Sequence, residues 1–95
     1  MHRSISEVST DSPSVNLKKL CRHFSHKIEV SFDDECGDIK FPFGRGLLEA
    51  TDGQLRITAE ADDMEALAKT EQVLADHLVR FGSKETLVVQ WHRQA

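Results

Sequence analysis

Three residues with the chemistry of metal ligands stand close together near position 23. Cys21, His23 and His26 would supply a thiolate and two imidazoles. On a helix, at about 100° per residue, Cys21 lies on the apolar face, whereas His23 and His26 lie on the solvent side. A regular helix cannot direct Cys21 and His23 at one ion, and the two histidines alone do not define a site. We therefore expect Cys21 in the core and weak binding of Fe²⁺ or Zn²⁺; the sequence identifies neither a metal nor a cofactor.

Basic residues gather on the exposed side of the same segment. This side either binds an anion or an acidic partner, or it is a solvated helix face whose cations complement the helix dipole. The solvated face is the simpler interpretation. The residues are Lys18, Lys19, Arg22, His23, His26 and Lys27.

Glu71 occupies an apolar position on a second predicted helix, between Leu67 and Leu74. A buried carboxyl group must be paired, protonated or near an edge. Arg56 is expected to point away from the core and Lys27 to lie at a helix end, so neither is placed to pair with it. We predict a buried carboxyl group that is satisfied by hydrogen bonds and has a raised pKa.

His77 lies on the flank of the apolar stripe of this second helix. His23 and Lys27 lie on the corresponding flank of the first helix. If the helices are antiparallel on one sheet, these flanks either line one groove together or both face away from it. The candidate ligand-binding residues, with a small anion as ligand, are therefore His23, His26, Lys27, Glu71 and His77.

No catalytic set is evident in the sequence. It has no nucleophile with a base and an orienting group, no Cys-x-x-Cys and no dinucleotide fingerprint. The acidic stretch at 33–38 does not match the spacing of an EF-hand loop, and Gly44-Arg45-Gly46 lacks the helix and lysine of a phosphate loop. We assign no catalytic residue; a small enzyme that uses Glu71 or His77 as acid or base stays an alternative.

Two helices must position these side chains. Asp11-Ser12-Pro13 combines a capping residue with proline and predicts a helix over Pro13–Ser25. Asp62, with glutamate three positions later, has the spacing of a capping box. The helix that it begins runs to Phe81 and stops at Gly82.

Six segments alternate between apolar and polar residues, which is typical of half-buried strands. Ile5 is the main apolar contact expected of the first strand, and Asp52-Gly53 predicts a hairpin turn. We predict an α+β fold, a two-layer sandwich in which an antiparallel sheet carries two helices on one face, in the order β-α-β-β-β-β-α-β. The strands fall at 4–9, 28–32, 39–43, 47–51, 55–60 and 87–91.

The 95 residues and their composition indicate a single domain over 1–95, frayed at 1–3 and 94–95. No segment resembles a membrane span or a secretory signal, and two cysteines indicate a reducing, cytoplasmic setting. Residues 1–27 carry a charge of +3 (five basic minus two acidic), but the whole chain carries −4. Nucleic acid is therefore an unexpected partner.

Two strings of residues resemble a bacterial domain family of unknown function, numbered 2218, from about Val8 to Arg93. The first is 20–27, Leu-Cys-Arg-His-Phe-Ser-His-Lys, followed by Phe32-Asp33, Gly37, Ile39 and Gly44; the second is 73–81, Val-Leu-Ala-Asp-His-Leu-Val-Arg-Phe, followed by Glu85 and Trp91.

The resemblance implies a small bacterial protein without an assigned activity, and related domains joined to siderophore-interacting flavin reductases. It therefore points to a binding or accessory domain linked to iron or siderophore metabolism, with a redox or siderophore protein as a partner. It also singles out His23, His26 and His77. A helix-grip binder of a ligand or of nucleic acid is a further alternative. The oligomeric state stays open and is compatible with an edge-strand dimer.

Overall fold

Six strands and two helices form the domain. The structure, a computed structural model, describes residues 1–81 and 86–94. The predicted α+β class and element order are confirmed. In chain order the elements are β1 His2–Ser9, α1 Pro13–Ser25, β2 Glu29–Phe32, β3 Cys36–Lys40, β4 Arg45–Thr51, β5 Gln54–Ala61, α2 Met64–Phe81 and β6 His92–Gln94.

The strands form one antiparallel sheet in the order β2-β3-β4-β5-β1-β6. β2 to β5 follow one another as a meander, and β1 lies between β5 and β6. The hairpin predicted at Asp52-Gly53 is present: Thr51 pairs with Gln54, and Gly53 has a φ of 72°. That left-handed conformation is accessible to glycine without strain.

Both helices pack on the same face of the sheet. Gly46 pairs with Ile39, which lies two positions after Gly37 on β3. Because residues two positions apart on a strand share a face, Gly37 and Gly46 both lie on the face that carries the helices. A Cβ at Gly37 would lie 2.7 Å from Sγ of Cys21 on α1, and one at Gly46 would lie 3.0 Å from Leu74 on α2. The buried apolar core between the layers is Val8, Leu17, Leu20, Cys21, Phe24, Ile39, Leu48, Leu55, Ile57, Ala59, Ala61, Leu67, Leu74, Leu78 and Leu87.

The helix bounds are as predicted, but their N-terminal caps differ. The Asp63 carboxylate, not that of Asp62, accepts a hydrogen bond from the Ala66 N–H at 2.7 Å. Ser12 makes no side-chain cap; its N–H donates to the Thr10 hydroxyl at 3.1 Å. On α2 the Asp63 carboxylate thus satisfies one of the unpaired N–H groups of the first turn. No described helix is long and apolar enough to cross a bilayer.

The strand expected over 39–43 is displaced toward the N-terminus. β3 ends at Lys40, and the Phe41 N–H donates to the Gly44 carbonyl at 2.8 Å, so 41–44 form the turn. Pro42 cannot donate to a ladder, which favours this turn over continued pairing. The aromatic side chains at 41 and 43 are therefore free to leave the sheet.

The outer part of the sheet corrects two expectations. On β1 it is Ser4, Ser6 and Val8 that face the helices, whereas Ile5 lies on the opposite face. The last strand, predicted over 87–91, is not paired there, and β6 covers only His92–Gln94. Leu87, Val89 and Trp91 nevertheless pack on the core. At the ends of the chain, 2–3 lie in β1 and 94 pairs with 3; fraying of 1–3 and 94–95 stays a prediction. The predicted stop at Gly82 lies outside the described residues, as does Ala95.

Candidate functional site

The C-terminal halves of α1 and α2 bring two histidines together. The ring centroids of His23 and His77 are 4.9 Å apart. Phe81 lies 5.0 Å from His23, and Phe24 lies 4.9 Å from His77 and 5.0 Å from Phe41. We call these five residues the ring cluster. It joins both helices to the β3–β4 turn.

The sequence positions the ring cluster through three local features. His77 and Phe81 are four residues apart on α2 and therefore lie on one face. His23 and Phe24 are adjacent in the last turns of α1. The β3–β4 turn supplies Phe41, and it approaches α2 closely: a Cβ at Gly44 would lie 2.3 Å from the Thr70 hydroxyl.

A backbone hydrogen bond fixes the role of each nitrogen in the His77 ring. Nδ1 lies 2.7 Å from the Val73 carbonyl oxygen, which can only accept, so Nδ1–H is the donor. In the neutral ring Nε2 is then an acceptor. The half-buried His77 therefore presents a lone pair when neutral and an N–H donor when protonated.

Cations surround His23. Partial burial lowers the pKa of His23, and His77, Lys27, Arg80 and His26, in decreasing order, lower it further through like charge. Lys27, Arg80 and His26 are exposed, and we call these three the basic rim. The ring cluster and the basic rim together form a surface with aromatic rings inside and positive charge at its border, which is suited to an anion.

The opposite end of this surface is occupied by the protein's own side chains. The rings of Phe41 and Phe43 are stacked at 5.2 Å. Nζ of Lys69, on α2, lies 4.5 Å from the centroid of the Phe43 ring. This contact is a cation–π interaction, which stabilises the turn against the helix.

The described part of the chain contains no group of three or more side chains arranged to hold a metal ion. Cys21 is buried in the core, where burial first and Asp38 second raise its pKa to about 12. Its thiol is therefore separated from the exposed His23 and His26. Weak metal binding stays a prediction.

Glu71 is as buried as expected, with 7% of its surface exposed, but the predicted raised pKa is wrong. Arg93 on β6 donates two hydrogen bonds to its carboxylate, at 2.9 and 3.3 Å. Burial raises the pKa of Glu71, but Arg93 and Ser4 together outweigh burial and hold it below the usual value. Glu71 thus joins α2 to β6 and does not contact the ring cluster.

Two grooves, of about 620 and 600 Å³, lie on the face of the sheet that the helices leave open. Arg56 lines both, and its strand neighbours on either side are Glu7 and Glu49. Further charges on this face form ion pairs: Arg3 with Glu60, Arg45 with Asp38 and Lys40 with Glu29. We place the candidate site at the ring cluster, because its cations have no carboxylate partner among the described residues.

Some members of the site were not among the predicted residues. Arg80 lies three positions after His77, so the helical spacing could have placed it beside that histidine. Phe81 appears in the sequence only as the predicted end of the second helix, and in the structure it is half-buried. Nothing in the sequence indicated that Phe41 would reach α1, because it fits the alternation of a strand.

Fold and site define a small two-layer α+β domain with an exposed cluster of histidine and phenylalanine rings. The family described as "Uncharacterized protein conserved in bacteria (DUF2218)" matches residues 5–92, and the chain belongs to this family. The resemblance seen in the sequence is thereby confirmed. The chain is also similar to the NMR structure of PA4090 from Pseudomonas aeruginosa, with 35% identity and a TM-score of 0.82 over 97% of this chain and 96% of that one. No curated protein matches.

Proposed function

We propose that this domain binds a small anion at the ring cluster and catalyses no reaction of its own. The observation that carries the proposal is the convergence of His23 and His77, with ring centroids 4.9 Å apart, beside the basic side chains of the rim. Like charges at this spacing repel one another. A bound anion would relieve that repulsion and would favour the protonated imidazoles, in which Nε2 of His77 becomes a hydrogen-bond donor.

The alternative of a small enzyme receives less support. Glu71 is engaged by Arg93 and is therefore not a free acid or base. His77 retains Nε2 for proton transfer, but no described nucleophile or carboxylate contacts its ring. A nucleic-acid binder is disfavoured by the net charge of −4.

The proposal also includes a metabolic link, a partner and a cellular location. A link to iron or siderophore metabolism, and a redox or siderophore protein as partner, are supported by the resemblance to domains joined to siderophore-interacting reductases. A cytoplasmic location is supported by Cys21 and Cys36, which are both free thiols.

Anion binding is tested by two-dimensional NMR titration of the protein with phosphate, acetate and citrate. We expect shifts centred on His23 and His77, and at least a tenfold loss of affinity in a Lys27→Gln/Arg80→Gln variant. Lys19→Gln, a change at an exposed lysine on α1, is the matched control and should bind as the wild type does. Shifts spread over all basic residues, or equal affinity in the double variant, would refute the proposal. A parallel titration with a ferric siderophore tests the iron link, which is rejected if no resonance moves.

A further inference from the structure

We infer that the anion is a planar aromatic carboxylate with a single ring, seated against the ring cluster with its carboxylate toward the basic rim. This inference rests on the proposed function and specifies the class of ligand. Two properties of the surface support it: the half-buried rings and the placement of the cations beside them.

The rings of the cluster form an aromatic surface that the protein covers only in part. Phe24, 8% exposed, is its buried base. Phe41, His77 and Phe81 are half-buried, and His23 is exposed. A phosphate or an aliphatic acid would use the cations and leave this ring surface in water. A planar ring would pack on it at the spacing of about 5 Å that the rings already keep among themselves.

The cations lie at one border of this surface, which fixes the orientation of the ligand. Arg80 directly precedes Phe81, and Lys27 follows α1 two residues beyond its end at Ser25. A guanidinium binds a carboxylate through two parallel hydrogen bonds. A ligand with a ring at one end and a carboxylate at the other therefore matches the rings and the basic rim together.

The far end of the surface limits the size of the ligand. Phe41 is stacked on Phe43, and Lys69 covers the Phe43 ring at 4.5 Å. This end already has its stacking partner and its cation. We therefore expect the ligand ring to contact the His23–His77–Phe81 end, and an aromatic acid of two fused rings, which would extend toward the occupied end, to bind less well.

The test compares benzoate with cyclohexanecarboxylate, acetate and 2-naphthoate by NMR titration of the full chain. Benzoate has the charge of the other three acids but alone combines a planar ring with the expected size. We expect benzoate to bind about tenfold more tightly than cyclohexanecarboxylate and acetate, and more tightly than naphthoate. We also expect nuclear Overhauser contacts from the benzoate ring to His77 and Phe81.

A variant separates the ring preference from anion binding. Phe81→Leu should abolish the preference for benzoate over cyclohexanecarboxylate. Phe32→Leu, a change at an exposed phenylalanine on β2, should retain the preference. If Phe81→Leu does not fold, the contacts in the wild-type complex decide the question.

Each outcome is informative. Equal affinity for benzoate, cyclohexanecarboxylate and acetate would overturn the aromatic inference and leave anion binding intact. Binding of none of the acids, together with no effect of phosphate or citrate, would overturn the proposed function itself. A benzoate preference that survives Phe81→Leu, or ring contacts elsewhere, would show that the ring cluster is not the site.

Discussion

Replacing Glu71 with glutamine removes one charge from the contact between α2 and β6 and keeps the shape of the side chain. The wild-type carboxylate accepts two hydrogen bonds from Arg93. Hydrogen bonds to charged groups contribute about 1.5–3 kcal/mol when well shielded. The Arg93 side chain is 46% exposed, so solvent screens the pair, and glutamine retains one acceptor. We expect Glu71→Gln to destabilise the domain by about 1 kcal/mol at pH 7.

The effect must depend on pH with a defined sign. The folded-state pKa of Glu71 lies below its usual value, so the carboxylate stabilises the fold above the unfolded pKa of about 4.3. This contribution is lost as the pH falls through the folded-state pKa. The difference in unfolding free energy between wild type and Glu71→Gln should therefore be present at pH 7 and smaller at pH 3.

Urea unfolding at pH 7 and pH 3 measures this difference, and hydrogen exchange at Arg93 reports whether β6 loosens. Glu29→Gln is the matched control, because its pair with Lys40 is exposed on both sides, at 70% and 55%, and should contribute little. If Glu71→Gln is as stable as the wild type at pH 7, or more stable, the ion pair does not stabilise the fold and the assignment is wrong.

Three further predictions concern the site, the packing and the thiols. In an NMR titration His23 should have a pKa below the usual 6.5, because partial burial and the neighbouring basic groups both disfavour its protonated form. A pKa at or above 6.5 would contradict this environment. Gly44→Ala should lower the unfolding free energy by about 1–3 kcal/mol in urea melts through overpacking. Gly53→Ala, at a position with open space but a positive φ, should lower it by about 1 kcal/mol through backbone strain. A Gly44→Ala variant as stable as the wild type would contradict the close packing at Gly44. A disulfide reagent at pH 8 should modify the exposed Cys36 and spare the buried Cys21, and mass spectrometry finding both thiols modified in the folded protein would refute the burial of Cys21.

Local patterns were sufficient to predict the helices and the α+β class. Apolar residues at helical spacing and a proline at the first position define Pro13–Ser25, and the second helix also ends where its pattern ends. The bounds of β3 and of the last strand could not be predicted in the same way. Pro42 and the adjacent aromatic residues fit both a strand and a turn, and only their contacts with the helices favour the turn.

The candidate site depended on information that the sequence does not contain. Helical angles placed His23 and His77 on equivalent flanks, but whether these flanks face each other depends on how the helices lie on the sheet. The partner of Glu71 was missed for a related reason. Arg93 is 22 residues away in the chain, and sheet pairing alone brings it under α2.

The position of β1 between β5 and β6 sets the order in which the sheet can assemble. The meander of β2 to β5 joins strands that follow each other closely, so it closes short loops. β1 instead pairs with residues 54–61 and 92–94, which lie far away in the chain, and its docking carries the larger loop-closure entropy. During synthesis β1 leaves the ribosome before β5 and α2, so the sheet and the helix cannot cover Ser4, Ser6 and Val8 until those later segments have been made.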